Sequence, residues 1–277
     1  MKIPFFDKRI LRQFCVVLSA LATPASIVLL FVNIEQNKTY IVGIIALAVP
    51  FIYIVIWCRL NHRQSIVLKI NTSEVEIKFG DIFIEQADLK VIPFNEYFDT
   101  LVDDNGMVIA ESTLNGKYIE KFHKGKVAEL DTLISSYPQL TKAILEENAS
   151  RSLGKKTKYK LGTICVVEDY LLTAFSHFDD NNKAYLEIHD YINCLLNFWN
   201  EVDRVYAGRT IAIPVLGSGI TRLKGYENIL DQELLELIIW TLKVSRVKLT
   251  HPSKAKIIVF KNKSERINLL ALKDLEI

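Results

Sequence analysis

The sequence predicts two parts: a helical hairpin that crosses a membrane, then an α/β domain on a mixed or mainly parallel central sheet. Three observations carry this reading. Two uncharged apolar runs, Phe14–Val32 and Tyr40–Cys58, each match the roughly 20 residues that span a bilayer core of about 30 Å. Beyond them, short strand-like runs alternate with amphipathic helical stretches, the pattern of an α/β sheet. A late strand-like run, Ile211 to Val215, feeds Gly217-Ser218-Gly219 ahead of a helix. At such a place backbone N–H groups can point at a phosphate.

The chain has 277 residues, half of them apolar, and a formal net charge of +2. That balance argues against a broad nucleic-acid surface. Cys15, Cys58, Cys165 and Cys194 form no CxxC pair and no zinc spacing, which suits a reduced setting in which each is a small apolar residue.

The first 13 residues set Lys2, Lys8, Arg9 and Arg12 against Asp7 alone. The first apolar run contains Pro24 and the second Pro50. Membrane helices tolerate proline better than soluble ones do. A cleaved signal peptide is the competing reading. It is disfavoured by the length of the run, by the lack of an Ala-x-Ala site and by the second span close behind. Residues 1–63 therefore read as a two-helix hairpin (14–32 and 40–58), and residues 64–277 as the second domain. Basic residues crowd both outer flanks, Arg59, Arg63 and Lys69 following the second span. The link 33–39 holds one Glu and one Lys. By the positive-inside rule both termini and the second domain are expected in the cytoplasm, the hairpin lying in the inner membrane as a multi-pass anchor. Neither span has an ionisable side chain in its middle, so a lone hairpin offers no polar pathway.

From Ser65 the texture changes. Ser65–Ile70 and Glu74–Phe79 read as two alternating strands around Asn71-Thr72-Ser73. Gly80-Asp81-Ile82-Phe83-Ile84 follows, then the apolar run Lys90 to Phe94, which ends at Asn95. Residues 96–122 read as polar and mixed, with a turn at Asp103-Asp104-Asn105-Gly106. Lys124–Ser136 and Gln139–Asn148 read as helices, Lys155–Lys160 as a basic loop, and Thr163–His177 as one long strand. Ala184–Val205 is a helix with an apolar face of Leu186, Ile192, Leu195, Leu196 and Trp199. After the strand at 209–215 come a helix at Glu227–Arg246, a strand at Ile257–Phe260 and a last helix at Ser264–Leu275. In such sheets the ligand crevice lies outside the carboxyl ends of the strands. The glycine turn and the segment after Ile92 both fall there.

Three short motifs now stand together: Gly80-Asp81-Ile82 after an early strand, Asn95 after the next, and Pro214-Val215-Leu216-Gly217-Ser218-Gly219-Ile220 after a late one. Over residues 65–262 the chain resembles a macro domain, the ADP-ribose-binding module with a three-layer α/β/α fold and mixed sheet. The resemblance implies that Asp81 accepts from the adenine amino group beside the Ile82 backbone. It implies that Asn95 lies near the distal ribose, and that Gly217, Ser218 and Gly219 wrap the pyrophosphate, with Leu216 and Ile220 beside them among the ligand-binding residues. Read without it, Asp81 also suits a turn cap, Asn95 a turn, and Arg222 either a surface charge or a bidentate phosphate contact.

Two departures matter. Macro domains usually carry a second Asn three positions before the one matching Asn95, where this chain has Ile92. They also carry a glycine-rich run just after it, the other half of the phosphate cradle in hydrolytic members. Here that run is Glu96-Tyr97-Phe98-Asp99. The hairpin with such a divergent domain, and Val-Leu-Gly-Ser-Gly-Ile-Thr-Arg within it, resembles the membrane effectors of Thoeris-type anti-phage defence. The resemblance implies a non-catalytic sensor. Its ligand would be an ADP-ribose-derived signal made by a TIR-domain enzyme, a histidine–ADP-ribose conjugate in the membrane-bound class. Binding would lead to homo-oligomerisation, damage to the lipid bilayer and abortive infection. The runner-up is a membrane-tethered ADP-ribosyl hydrolase. A third reading is a membrane scaffold whose α/β domain binds a protein. No cofactor is expected. His62, His123, His177, His189 and His251 show no metal-binding spacing. Ser218 lacks a nucleophile elbow because Leu216 stands where its first glycine would be.

Overall fold

The computed structural model describes residues 3–29, 31, 38–103, 106–245, 247–249 and 252–276. The link 33–37, the middle of the turn at 103–106, Val32, Arg246 and His251 lie outside the described residues. The chain divides into two compact units, Met1–Gln64 with Asn268–Ala271, and Ser65–Ile267 with Leu272–Ile277.

The first unit holds α1 (Lys8–Leu29) and α2 (Lys38–Asn61). Both are long and apolar enough to cross a membrane, and only 6% of the most apolar stretch of each is buried. They therefore differ from the core helix of a soluble protein, whose apolar face is covered. Both helices run past their uncharged segments into basic residues. The segment before α1 is clipped to the end of α2. Asn61 Oδ1 accepts from the Ile3 N–H at 2.9 Å, Trp57 Nε1 donates to the Ile3 carbonyl at 3.1 Å, and the Tyr53 hydroxyl donates to the Phe5 carbonyl. Phe5 packs edge-on against Tyr53 and Trp57. Ile3, Ile10, Tyr53, Leu60 and Leu270 form a small core at this end.

The second unit is built on a sheet. Its strands are β1 (Ser65–Ile70), β2 (Ser73–Gly80), β3 (Leu89–Asn95), β6 (Ile164–Val167), β7 (Tyr170–Phe178), β8 (Ala184–Glu187), β9 (Ile211–Pro214), β10 (Arg222–Lys224) and β11 (Ala255–Phe260). The order is β1-β2-β11-β9-β3-β7-β8-β10, with β6 also on β7. Pairing is antiparallel for β1–β2, β6–β7 and β7–β8 and parallel for the rest, so the sheet is mixed. A separate antiparallel pair joins β4 (Ile144–Glu147) to β5 (Thr157–Tyr159).

Side chains of a strand alternate between the two faces. On one face Ile92, Phe94, Leu172 and Ala174 join a core with Tyr118, Ile119, Leu130, Ile134 and Leu140. Those last five come from α3 (Leu114–Phe122), α4 (Val127–Ser136) and α5 (Pro138–Lys142). On the other face Phe175 meets Tyr191 edge to face. Tyr191 begins the apolar side of α6 (Ile188–Val205), which packs on α7 (Asp231–Val244); Trp199 Nε1 donates to Thr241 Oγ1 at 3.1 Å. Helices thus cover both faces in three layers. Full burial of a side chain such as Phe198 stabilises by about 1.5–3 kcal/mol. Burial pushes the Cys165 thiol up to about 12 and the Cys194 thiol higher still, so both behave as small apolar groups.

Several expected elements are corrected. The helix expected at 139–148 stops at Lys142, because Ile144–Glu147 pairs with β5 instead. The long strand at 163–177 is a hairpin turned at Glu168, which takes φ +51°. The helix at 184–205 begins at Ile188, the first four residues forming β8 on β7. The helix at 264–275 is two 3-10 turns, Lys261–Arg266 and Ala271–Leu275. Asn268 divides them, its carbonyl and its side chain both accepting from the Ala271 N–H. Helix α3 lies in a stretch read as polar and irregular, and β10 was not expected.

Candidate functional site

The strands β2, β11, β9, β3 and β7 present their carboxyl ends along one edge of the sheet. A cleft of about 340 Å³ runs across them, within the usual size of small-molecule sites. One end is walled by Gly80 to Phe83 and Phe260, the other by Phe175, Ser176, Phe178 and Ala184; the glycine turn and the start of α3 flank the middle.

Asp81 ends the β2 strand path in an Asx turn. Its Oδ1 accepts from the Phe83 N–H at 2.9 Å, and its second oxygen has no partner among the described residues. Ile82 is buried against Ala212 and Ile258, which fixes the carboxylate at the wall. Glu85 braces the same turn, bonded to Lys78 at 2.9 Å and Lys256 at 2.7 Å. Burial acts to raise its pKa, but the two ammonium groups prevail and hold it below the ordinary value.

The glycine turn is tied from behind. The Tyr191 hydroxyl donates to the Leu216 carbonyl at 2.9 Å, and Lys263 Nζ donates to the Ser218 carbonyl and to Asp231 Oδ1 at 2.9 Å. Gly217 has φ +85°, and a Cβ there would stand 3.2 Å from the Tyr191 ring. A Cβ on Gly219 would meet nothing within 4 Å. The N–H groups of Gly219 and Ile220 have no partner among the described residues. Opposite, Thr113 caps α3, accepting from the Gly116 N–H at 3.2 Å. Ser112, Leu114 and Asn115 line the cleft beside it. The first N–H groups of a helix lack intrahelical partners and carry partial positive charge. The middle of the cleft is therefore suited to an anion.

The loop after β3 is different in kind. Asn95 lines the cleft but is only 2% exposed. Its Oδ1 accepts from the N–H groups of Tyr97 and Asp99 at 3.0 and 3.2 Å, and its Nδ2 donates to Asp99 at 2.9 Å. The Glu96 N–H goes to the Ser176 carbonyl and the Phe98 N–H to the Asn95 carbonyl. All four amides of 96–99 are thus used inside the protein. Asp99 is fully buried and pairs with Arg151 at 2.6 Å. Arg151 lies over the Tyr97 ring at 4.0 Å. Glu96, also buried, holds His177 Nδ1 at 2.6 Å. Burial acts to lower the His177 pKa, but Glu96 and then Asp190 outweigh it and raise it.

The structure thus brings Asp81, Ile82, Asn95, Leu216, Gly217, Ser218, Gly219 and Ile220 to one cleft. Arg222 is exposed, begins β10 and does not line it. Lys263 is the lysine beside the glycine turn instead. Sequence reasoning also missed the α3 start, whose only signal was Thr113 ahead of the Leu114, Tyr118 and Ile119 apolar face. It missed the aromatic walls Phe83, Phe178 and Phe260 as well. Among the described residues, one set of metal-capable groups, Glu187, His189 and Asp190, lies together away from the cleft, with Glu187 and His189 exposed.

A family model described as Thoeris protein ThsA, Macro domain, matches residues 75–260. The curated Thoeris protein ThsA of Bacillus amyloliquefaciens (strain Y2) is 38% identical over 274 residues, covering 98% of this chain and 91% of that protein. Among solved structures, a mutant Oceanobacillus iheyensis macrodomain with ADPR aligns at TM-score 0.46 and 13% identity, covering 76% of this chain and 95% of that one. The macrodomain of Thermus aquaticus DarG aligns at TM-score 0.38 and 10% identity, covering 67% and 97%. A match across two-thirds of the sequence and a relative similar along nearly all of it agree: this chain belongs to the Thoeris ThsA family and carries that family's macro domain.

Proposed function

We propose that the chain is a membrane-anchored sensor of anti-phage defence. Its cytoplasmic macro domain binds an ADP-ribose-derived signal from a TIR-domain enzyme and performs no chemistry on it. The observation that carries this is the asymmetry of the cleft. The glycine turn and the start of α3 offer unpartnered N–H groups to a diphosphate, and Asp81 offers a free oxygen at the adenine end. The loop that would complete the cradle has every amide of 96–99 spent internally. A ligand can be held at its middle and adenine end without the second set of donors that gathers the distal phosphate and ribose for attack. In this role Asn95 is a positioning residue for its own loop.

The apolar hairpin is the anchor and the effector part. A single hairpin has no inward polar face, so damage requires several hairpins brought together. Small residues of α1, among them Ser19, Ala20, Ala22, Ala25 and Ser26, allow close helix approach. Ligand drives assembly only by binding the assembled state more tightly, and confinement to one bilayer reduces the difference required.

The test uses full-length protein in detergent. Titration calorimetry with ADP-ribose and with a histidine–ADP-ribose conjugate is expected to show binding. Chromatography of the ligand afterwards is expected to recover it intact, and mass photometry to show larger particles. Released ADP-ribose would establish the hydrolase reading. Absence of binding to either ligand would refute the sensor.

A further inference from the structure

We propose that the groove between α1 and α2 is a binding site for an anionic phospholipid, a role separate from the nucleotide cleft. This rests on the reading that the hairpin spans a membrane. The groove is lined by Gln13 and Val17 of α1, by Phe51, Ile52, Val55, Ile56, Arg59 and Leu60 of α2, and by Arg63 just beyond it. Its chemistry is divided along its length. From Phe51 to Ile56 the α2 wall is wholly apolar, and Phe51 and Val55 are exposed. At the other end stand two guanidinium groups and an amide.

Arg59 belongs to α2, and Arg63 follows two residues after its end at Asn61. Neither has an acidic partner among the described residues, although the nearby Arg9 is paired with Asp7 at 3.1 Å. Two unpaired guanidinium groups converging on one groove form a fork for phosphate oxygens. Gln13 adds an amide that can donate to a phosphate or ester oxygen. Arg59 also lies in the last turn of α2, where the helix dipole favours a cation and leaves the arginine without need of a protein anion.

The depth is right for a lipid. Trp57, Tyr53 and Phe5 form an aromatic cluster at this end of the hairpin, and such residues sit at the headgroup level. At 1.5 Å per residue Arg59 lies about 3 Å beyond Trp57, inside the layer of about 5–8 Å between hydrocarbon and water, and Arg63 follows beyond the helix end. From Phe51 to Leu60 the helical wall of the groove is about 14 Å long, against about 15 Å of hydrocarbon in one leaflet. A headgroup phosphate held by the arginines would therefore lay its acyl chain along Val55, Ile52 and Phe51. Basic pockets between membrane helices are the usual form of such recognition.

The test is native mass spectrometry of the full chain in neutral detergent, titrated separately with cardiolipin, phosphatidylcholine and inorganic phosphate. Cardiolipin is expected to remain bound, and the other two are not. The double variant Arg59→Gln/Arg63→Gln is expected to bind cardiolipin at least tenfold more weakly, about 1.4 kcal/mol. Lys8→Gln/Arg12→Gln, which removes two charges at the same end but outside the groove, is expected to bind as wild type. Equal loss in both double variants would mean diffuse attraction to basic residues and would overturn the proposal. So would unchanged binding by Arg59→Gln/Arg63→Gln, or binding of inorganic phosphate alone. A change in dimer fraction on Arg59→Gln/Arg63→Gln in lipid-free detergent would show that a second copy fills the groove. A carbonate wash of cell membranes separates the two readings. Retention in the membrane without cardiolipin selectivity defeats this site alone, whereas release into the wash defeats the membrane reading with it.

Discussion

Gly219→Glu separates the proposed anion-binding role of the glycine turn from the fold. A side chain at 219 starts in open space, and the backbone there is not in the left-handed region, so the apo protein should fold unchanged. Lys263 is already engaged by Asp231 and the Ser218 carbonyl, and is poorly placed to neutralise the new carboxylate. With about 6 Å between that carboxylate and a bound phosphate, and an effective dielectric of about 20, the repulsion is about 2.8 kcal/mol. That corresponds to roughly a hundredfold loss of affinity. Gly217→Ala is the contrast. At φ +85° with the Tyr191 ring 3.2 Å away, it should cost about 1–3 kcal/mol of stability, lowering Tm by several degrees without ligand. Calorimetry with ADP-ribose and thermal melts of both apo variants give the four readouts. Wild-type ADP-ribose affinity in Gly219→Glu, or a melt as early as that of Gly217→Ala, would refute the assignment of the turn.

Asp81→Ala removes the charge-assisted hydrogen bond proposed to adenine and should weaken ADP-ribose binding by about 1.5–3 kcal/mol, while Asp81→Asn, which keeps the acceptor for Phe83, should preserve the apo Tm; a large apo Tm loss in Asp81→Asn would mark the carboxylate as structural. Arg151→Ala strands Asp99 as a buried charge and should destabilise by about 3–5 kcal/mol in urea unfolding, with a loss under 1 kcal/mol counting against the buried pair. Because the folded pKa of His177 is raised, its stabilisation is full below the unfolded value of about 6.5 and is lost as pH rises through the folded value. Denaturant midpoints should therefore fall across that window in wild type and flatten in His177→Gln; identical pH profiles would refute the Glu96 linkage. For topology, a reporter at the C-terminus should read as cytoplasmic and one inserted near Asn37 as external, and the reverse pattern would overturn the orientation.

Much of this was legible where the signal is local. The two apolar runs need only the absence of charge, and the glycine turn needs only Gly217 and Gly219. What escaped depends on residues distant in sequence. Lys263 reaches the turn from 45 residues beyond Ser218, whereas Arg222, named for its guanidinium chemistry and also read as a surface charge, is carried off by the backbone into β10. Asn95 could be placed at a strand end, but its partner Asp99 lies 4 residues on and is itself held by Arg151 from 52 residues further along, and only the folded loop shows that the Asn95 amide is spent. The run 163–177 looked continuous because apolar residues flank Glu168-Asp169 so closely that the alternation hides the turn. Ile144–Glu147 lost its helical reading to a pairing with β5 that local propensity cannot see.

The knot of Asn95, Asp99 and Arg151 also limits what this sequence can become. Gly154 shares in it: at φ +86° a Cβ there would lie 2.5 Å from Asp99. Installing a glycine-rich loop at 96–99 means removing Asp99 or Arg151 first, since they do not change together in a single substitution. Either step leaves one charge buried alone, at about 3–5 kcal/mol, against a total stability of about 5–15 kcal/mol for an ordinary domain. The intermediate loses a large share of that margin, and for a domain at the low end of the range it reaches the threshold for folding. A lineage that acquired this ion pair is thus held away from a two-loop phosphate cradle by a valley in stability, whatever selection later acts on its ligand.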